Sequence, residues 1–150
     1  MFVNEPIEFR NLEAATLGHV MYLLHCTDRS NLSLDAIQTW LRIPIRLDQI
    51  ILLFGANKTP EGYLTWAYVT PETAMRLGDG SGRPPFPEEW NDGTLLWIVD
   101  VVAPFGQLRP LVEAARAHLG KDHRMMGYAD RRRRNLRIRQ RPMPVQQATG

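Results

Sequence analysis

At 150 residues the chain suits one domain that buries most of the surface its unfolded form exposes. Its 44% hydrophobic and 23% charged content excludes wholesale disorder, and the absence of any apolar run of about 18 residues excludes a membrane-spanning helix. The net charge of +2 hides an asymmetry: residues 120–150 hold nine Lys or Arg against two Asp, a balance of +7, which leaves −5 for the remaining 119 residues. Such a basic end attracts an acidic partner over a Debye length of ~8–10 Å. The first residues carry no basic stretch followed by an apolar run and cleavage site, and the lone Cys26 cannot form an internal disulfide. A soluble, cytoplasmic protein is expected.

In chain order, Asn11-Leu12-Glu13 offers a capping start to a helix through Leu17, Val20, Met21 and Leu24, ending near Cys26. Asp28 to Asn31 is polar loop. Ser33-Leu34-Asp35 opens a second, shorter helix that Pro44 is expected to stop. Ile50 to Gly55 predicts a strand and Asn57 to Gly62 a turn. Tyr63 to Val69, rich in aromatic and β-branched residues, supplies the antiparallel partner.

Pro71 starts a helix that Gly78 ends, and Gly78 to Pro87 is too rich in Gly and Pro for regular structure. A strand follows from Thr94 to Val102. Pro104 and Gly106 break it, and Pro110 lies in the first turn of a helix that Gly120 caps. Arg124–Ala129 and Asn135–Gln140 predict a strand pair joined at the arginine run. In the second of these, Leu136 and Ile138 alternate with Arg137, Arg139 and Arg141, giving one apolar and one basic face. A charged edge that resists aggregation explains such a ladder, but the number of arginines favours a binding face. Residues 1–141 are therefore expected to form one domain, with 142–150 a disordered tail.

Asp100 stands out, because it sits between Val99 and Val101 in an otherwise apolar strand. An isolated carboxylate costs several kcal/mol to bury, so this one must be paired, protonated or left near water. An active-site carboxylate and a structural Asp that caps a loop or holds an arginine satisfy that condition equally. Other candidates are weaker. His25 and Cys26 are helix neighbours about 100° apart and do not form a facing nucleophile pair; Cys26 is expected to be a buried small hydrophobe. His19 is expected in the core, and His118 and His123 at helix ends. No metal-ligand spacing or internal repeat is present.

The order Trp90-x-x-Gly93-x-x-x-Trp97-x-x-Asp100-x-x-Ala103-Pro104-Phe105-Gly106 resembles the signature of the toxin-activating lysine acyltransferases, which attach fatty acyl chains to RTX haemolysins. Gly18-His19-Val20 and Tyr63-Leu64-Thr65-Trp66-Ala67 fall in the same family order, so the resemblance covers roughly residues 17 to 106. It implies an α+β, GNAT-like fold, a central and mostly antiparallel sheet flanked by helices. It also implies transfer of a fatty acyl group from acyl carrier protein, as a phosphopantetheine thioester, to lysines of a protein acceptor.

In that family the resemblance assigns Asp100 to a His-Asp pair whose histidine follows the first helix. By count that histidine falls within Asp28, Arg29 and Ser30, and none of them is histidine. Three consequences are open. His25 could serve as a displaced base beside Asp100, the reaction could proceed without a protein histidine, or the chain could bind without catalysing, as an adaptor for acyl carrier protein or another acidic protein. Asp28, next to Arg29, would be a poor base.

After the strand, Pro104 to Arg109 lacks the GNAT pyrophosphate loop, which argues against coenzyme A as donor. The resemblance then puts the phosphopantetheine arm beside Phe105 and Gly106, with Arg137, Arg139 and Arg141 as the dock for an acidic carrier. No bound cofactor is expected, and a homodimer is compatible with this scheme. Nucleic-acid binding is disfavoured, because the body is net acidic and no aromatics interleave with the arginines.

Overall fold

The computed structural model describes residues 7–79, 82–120, 125–130 and 135–140. The expected tail, the arginine run 131–134, Arg141 and His123 lie outside the described residues. Five strands form one sheet in the order β1 (Ile50–Phe54), β2 (Pro60–Val69), β3 (Leu95–Val102), β4 (Met125–Asp130), β5 (Asn135–Gln140). Every neighbouring pair is antiparallel except β3 and β4, which are parallel. Helices cover both faces, so the fold is α+β with a mostly antiparallel sheet, as expected.

α1 (Ile7–His25) and the helical segments α2 (Leu34–Ile37) and α3 (Ile43–Arg46) pack on one face. There Val20, Leu23, Leu24 and Leu41 enclose Tyr63 and Val102. On the same face α4 (Pro71–Leu77) buries Ala74 and Leu77 against Val69, Trp90, Leu95 and Trp97. The other face belongs to α5 (Leu108–Leu119), whose Leu111 and Ala115 pack on Leu64, Trp66 and Leu96. No described helix is long and apolar enough to cross a membrane.

Local chemistry accounts for most element ends. The Ser33 hydroxyl caps α2 by accepting the Ala36 N–H at 3.1 Å, and the Thr70 hydroxyl caps α4 by accepting that of Thr73 at 3.2 Å. Gly120, at φ 76°, closes α5 as expected. Three expectations need correcting. α1 begins before Asn11, and an interior Asn costs a helix only ~0.7 kcal/mol against Ala. Pro44 does not stop its helix: a π-helical turn, Gln38–Arg42, precedes it, and in the first turn of α3 its missing N–H breaks no bond. The β1–β2 turn is shorter than expected, since the Gly55 N–H donates to the Thr59 carbonyl at 2.9 Å and β2 starts at Pro60.

Beyond α4, Arg76 pairs with Glu89 and lies 4.4 Å over the Phe86 ring, which fastens the end of the Gly- and Pro-rich loop to the helix. The chain then closes on β2. The Tyr68 N–H donates to the Trp90 carbonyl at 2.8 Å, and the Gly93 N–H to the Tyr68 carbonyl at 3.1 Å. This lays Trp90 into the core and aims the chain into β3.

Candidate active site

The pairing of β2 with β3 contains a bulge. Thr65 lies opposite Asp100 and Trp66 opposite Ile98, so Val99 is an extra residue on β3. The consequence is one of direction. Leu96 and Ile98 pack on the α5 side, and strict alternation would send Asp100 there too. The extra residue instead puts Asp100 on the α1 face beside Tyr63, where it is only 4% exposed.

Asp100 is paired. Arg29 Nη1 donates to Oδ1 at 3.0 Å and Nη2 to Oδ2 at 3.1 Å, a two-point fork, and the Tyr63 hydroxyl donates to Oδ2 at 2.8 Å. Burial works against the charge of Arg29, but the hydrogen bond and charge of Asp100, helped by Tyr63 and Asp28, outweigh it and raise its pKa above the usual arginine value. The carboxylate lies deep, with 2% of its side chain exposed, while 23% of the Arg29 side chain reaches solvent. Arg29 is therefore the outward member of the pair.

The turn after α1 delivers Arg29. The Thr27 hydroxyl donates to the Leu24 carbonyl at 2.6 Å and accepts the Arg29 N–H at 3.1 Å, tying the loop to the last turn of the helix. Trp40, in the π-helical turn, flanks the guanidinium, with its ring centre 5.9 Å from Cζ. Opposite Asp100, Thr65 is fully buried and its Oγ1 has no hydrogen-bond partner among the described residues.

The cluster sits where the sheet divides. β3 pairs with β4 only from Leu96↔Met126 to Ile98↔Tyr128, although β3 runs to Val102. Beyond Ile98 the pairing with β4 stops, and Asp100 falls in the stretch past that point. The turn that ends β3 carries Phe105, 49% exposed, and Gly106, whose φ of 80° favours glycine. These two residues are thus at the same end of β3 as Asp100. Arg137 and Arg139 occupy alternate positions of edge strand β5, opposite Tyr128 and Met126.

The Arg29 and Tyr63 hydrogen bonds to Asp100 involve neither Cys26 nor, among the described residues, a histidine. His25 closes α1 and is exposed. Cys26 is exposed rather than buried, because the buried stripe of α1 runs through Val20, Leu23 and Leu24 and passes to Thr27, leaving Cys26 off it. His19 is half-buried, edge-on to Phe54 at 5.1 Å, and His118 is exposed beside Trp66 at 5.5 Å. Sequence reasoning missed Arg29 and Tyr63 as the partners of Asp100. For Tyr63 the signal was its spacing from Thr65 along an alternating strand. For Arg29 it was its place in the interval where the resemblance asks for a histidine.

The motif residues divide by role. Trp90 and Trp97 are core, and a Cβ added to Gly127 would lie 2.6 Å from the Trp97 ring, so the parallel pair closes around that ring. Gly93 lets the chain press on the Val69 backbone. Asp100 alone among them brings buried charge.

Comparison with known proteins finds relatives of one kind. The chain is 38% identical over 72 residues to the leukotoxin-activating lysine-acyltransferase LktC of a Pasteurella haemolytica-like species, covering 47% of this chain and 42% of that protein. It is 32% identical over 111 residues to the protein-lysine myristoyltransferase HlyC of Escherichia coli, covering 71% and 56%. It is 34% identical over 103 residues to the protein-lysine palmitoyltransferase CyaC of Bordetella bronchiseptica, covering 64% and 47%. The chain thus spans about half the length of the curated relatives it matches. A family profile covers far more of it, residues 10–141, and the chain belongs to the RTX toxin acyltransferase family.

Proposed function

We propose that the chain transfers a fatty acyl group from acyl carrier protein to a lysine side chain of a protein acceptor, in the cytoplasm, at a site centred on Asp100. The observation that carries this reading is the place of the Asp100 cluster, at the end of β3 where it leaves β4, in a chain of this family. Relatives named as myristoyl- and palmitoyltransferases favour a long acyl chain. In the reaction a neutral lysine amine attacks the thioester carbonyl, a C–N bond forms, the C–S bond breaks, and the amine proton leaves with the carrier thiolate or to water. Phe105 and Gly106 border the entry of the phosphopantetheine arm. Arg137, Arg139 and Arg141 favour docking of an acidic carrier.

The test is release of free carrier thiol from palmitoyl-carrier protein in the presence of a lysine acceptor. Asp100→Asn is expected to slow release by about 10² or more, the scale on which positioned polar groups contribute to catalysis. An unchanged rate contradicts the assignment. For the dock, Arg137→Glu with Arg139→Glu is expected to weaken carrier binding several-fold at low salt and little at high salt, as read by titration. Equal affinity at low salt removes that role.

A second reading has its own observation. Arg29 takes up Asp100 with a group that cannot accept a proton near neutrality, as suits an adaptor that keeps the dock without the chemistry. Carrier binding without thiol release or acyl-lysine is its signature.

A further inference from the structure

General-base catalysis needs a group that titrates near the working pH and can reach the reacting proton. The side chain clamped on Asp100 does the opposite. A guanidinium stays protonated at every pH at which the protein is folded, and pairing with the carboxylate strengthens that. What it supplies is fixed positive charge with directed N–H donors.

The geometry prepares that charge well. Asp100, steadied by Tyr63, holds the guanidinium from behind by its two terminal nitrogens. Trp40 flanks it, and Thr27 fixes the backbone from which it extends. Arg29 is the more exposed member of the pair, and its fork to Asp100 leaves the Nε–H and one N–H on each terminal nitrogen outside that fork. A charge held this way, at low dielectric and with its orientation fixed in advance, stabilises an oxyanion without reorganisation.

We propose that Arg29, anchored by Asp100, is the electrophilic residue of the site. Its outer N–H groups hydrogen-bond the thioester carbonyl oxygen and stabilise the tetrahedral oxyanion, and no side chain serves as general base. This rests on the acyl-transfer reading above. The amine arrives as the free base and attacks. The oxyanion forms against Arg29, then collapses with loss of the thiolate, and the proton released from nitrogen ends on sulfur or water. Asp100 is then a positioning residue, acting through Arg29.

The test is the pH dependence of transfer by the intact chain, with palmitoyl-carrier protein as donor and a single-lysine peptide as acceptor, between about pH 6 and 10. The logarithm of the rate is expected to rise with a slope near one up to about pH 9 and to bend only as pH nears the lysine pKa of about 10.4, following its neutral fraction. A plateau setting in between about pH 6 and 8 marks a titrating base and overturns the proposal, and its loss in His25→Ala would assign that base to His25. A variant arm asks about the oxyanion. Arg29→Lys, which keeps the charge but loses the fork, is expected to lower kcat by about 10²–10³ with little change in KM. A wild-type kcat overturns the role. Absence of transfer at every pH is a different outcome: it refutes the acyl-transfer reading itself, and Arg29 loses this role with it.

Discussion

Replacing Asp100 by alanine is expected to cost about 3 kcal/mol of stability, while replacing Asp100 and Arg29 together by apolar residues costs much less. The single change leaves a mostly buried guanidinium without its counter-charge and the Tyr63 hydroxyl without this acceptor. Breaking a buried pair from one side costs about 3–5 kcal/mol, and the partial exposure of Arg29 puts this case at the low end. Asp100→Leu with Arg29→Met removes both charges and fills the space, so urea denaturation is expected to give a coupling of about 2 kcal/mol in the double-mutant cycle. Strictly additive changes would mean the pair does not act as a unit.

The same pair sets the pH behaviour. The Arg29 pKa is raised in the folded state, so its contribution to stability is complete below the unfolded value and is lost only as pH climbs through the folded one. Both values lie far above the neutral range. The Arg29 contribution is therefore flat across the neutral range.

The second large effect concerns two glycines in the residues that carry the family resemblance. Gly93→Ala is expected to destabilise by about 3 kcal/mol or more, because its Cβ would lie 2.1 Å from both the carbonyl carbon and oxygen of Val69. Backbone on both sides must shift, and the Gly93 N–H bond to Tyr68 that aims the chain into β3 is lost. Gly18→Ala is expected to go the other way. A Cβ there meets nothing within 4 Å in the middle of α1, so alanine should stabilise by about 0.5–1 kcal/mol. Thermal melts of the two variants check both. A tolerated Gly93→Ala would show that β2 and the segment before β3 are not packed as described.

Much of this arrangement is written locally. β3, α4 and the β4–β5 pair follow from alternation, caps and Pro or Gly punctuation, and they appear within one or two residues of expectation. The place of Asp100 within a strand also follows, because apolar residues continue on both sides of it. What the chain does not write locally is direction and partnership. One extra residue at Val99 turns Asp100 from the α5 face to the α1 face, and a bulge has no composition of its own. Arg29 lies 71 residues from Asp100 along the chain, in a loop whose polar sequence suits solvent as well as it suits a buried partner. The passage of a helix through Pro44 is similar, since only the preceding π turn makes the proline harmless, and Leu41 and Pro44 both gain burial by it.

Mass spectrometric mapping of a lysine-containing acceptor, after incubation with palmitoyl-carrier protein and either the native chain or Asp100→Asn, tests the central claim most directly. A fatty acyl group on lysine nitrogen is expected with the native chain and little or none with the variant. Acceptor lysines left unmodified by the native chain, while it still binds the carrier, would contradict it and leave an adaptor in its place.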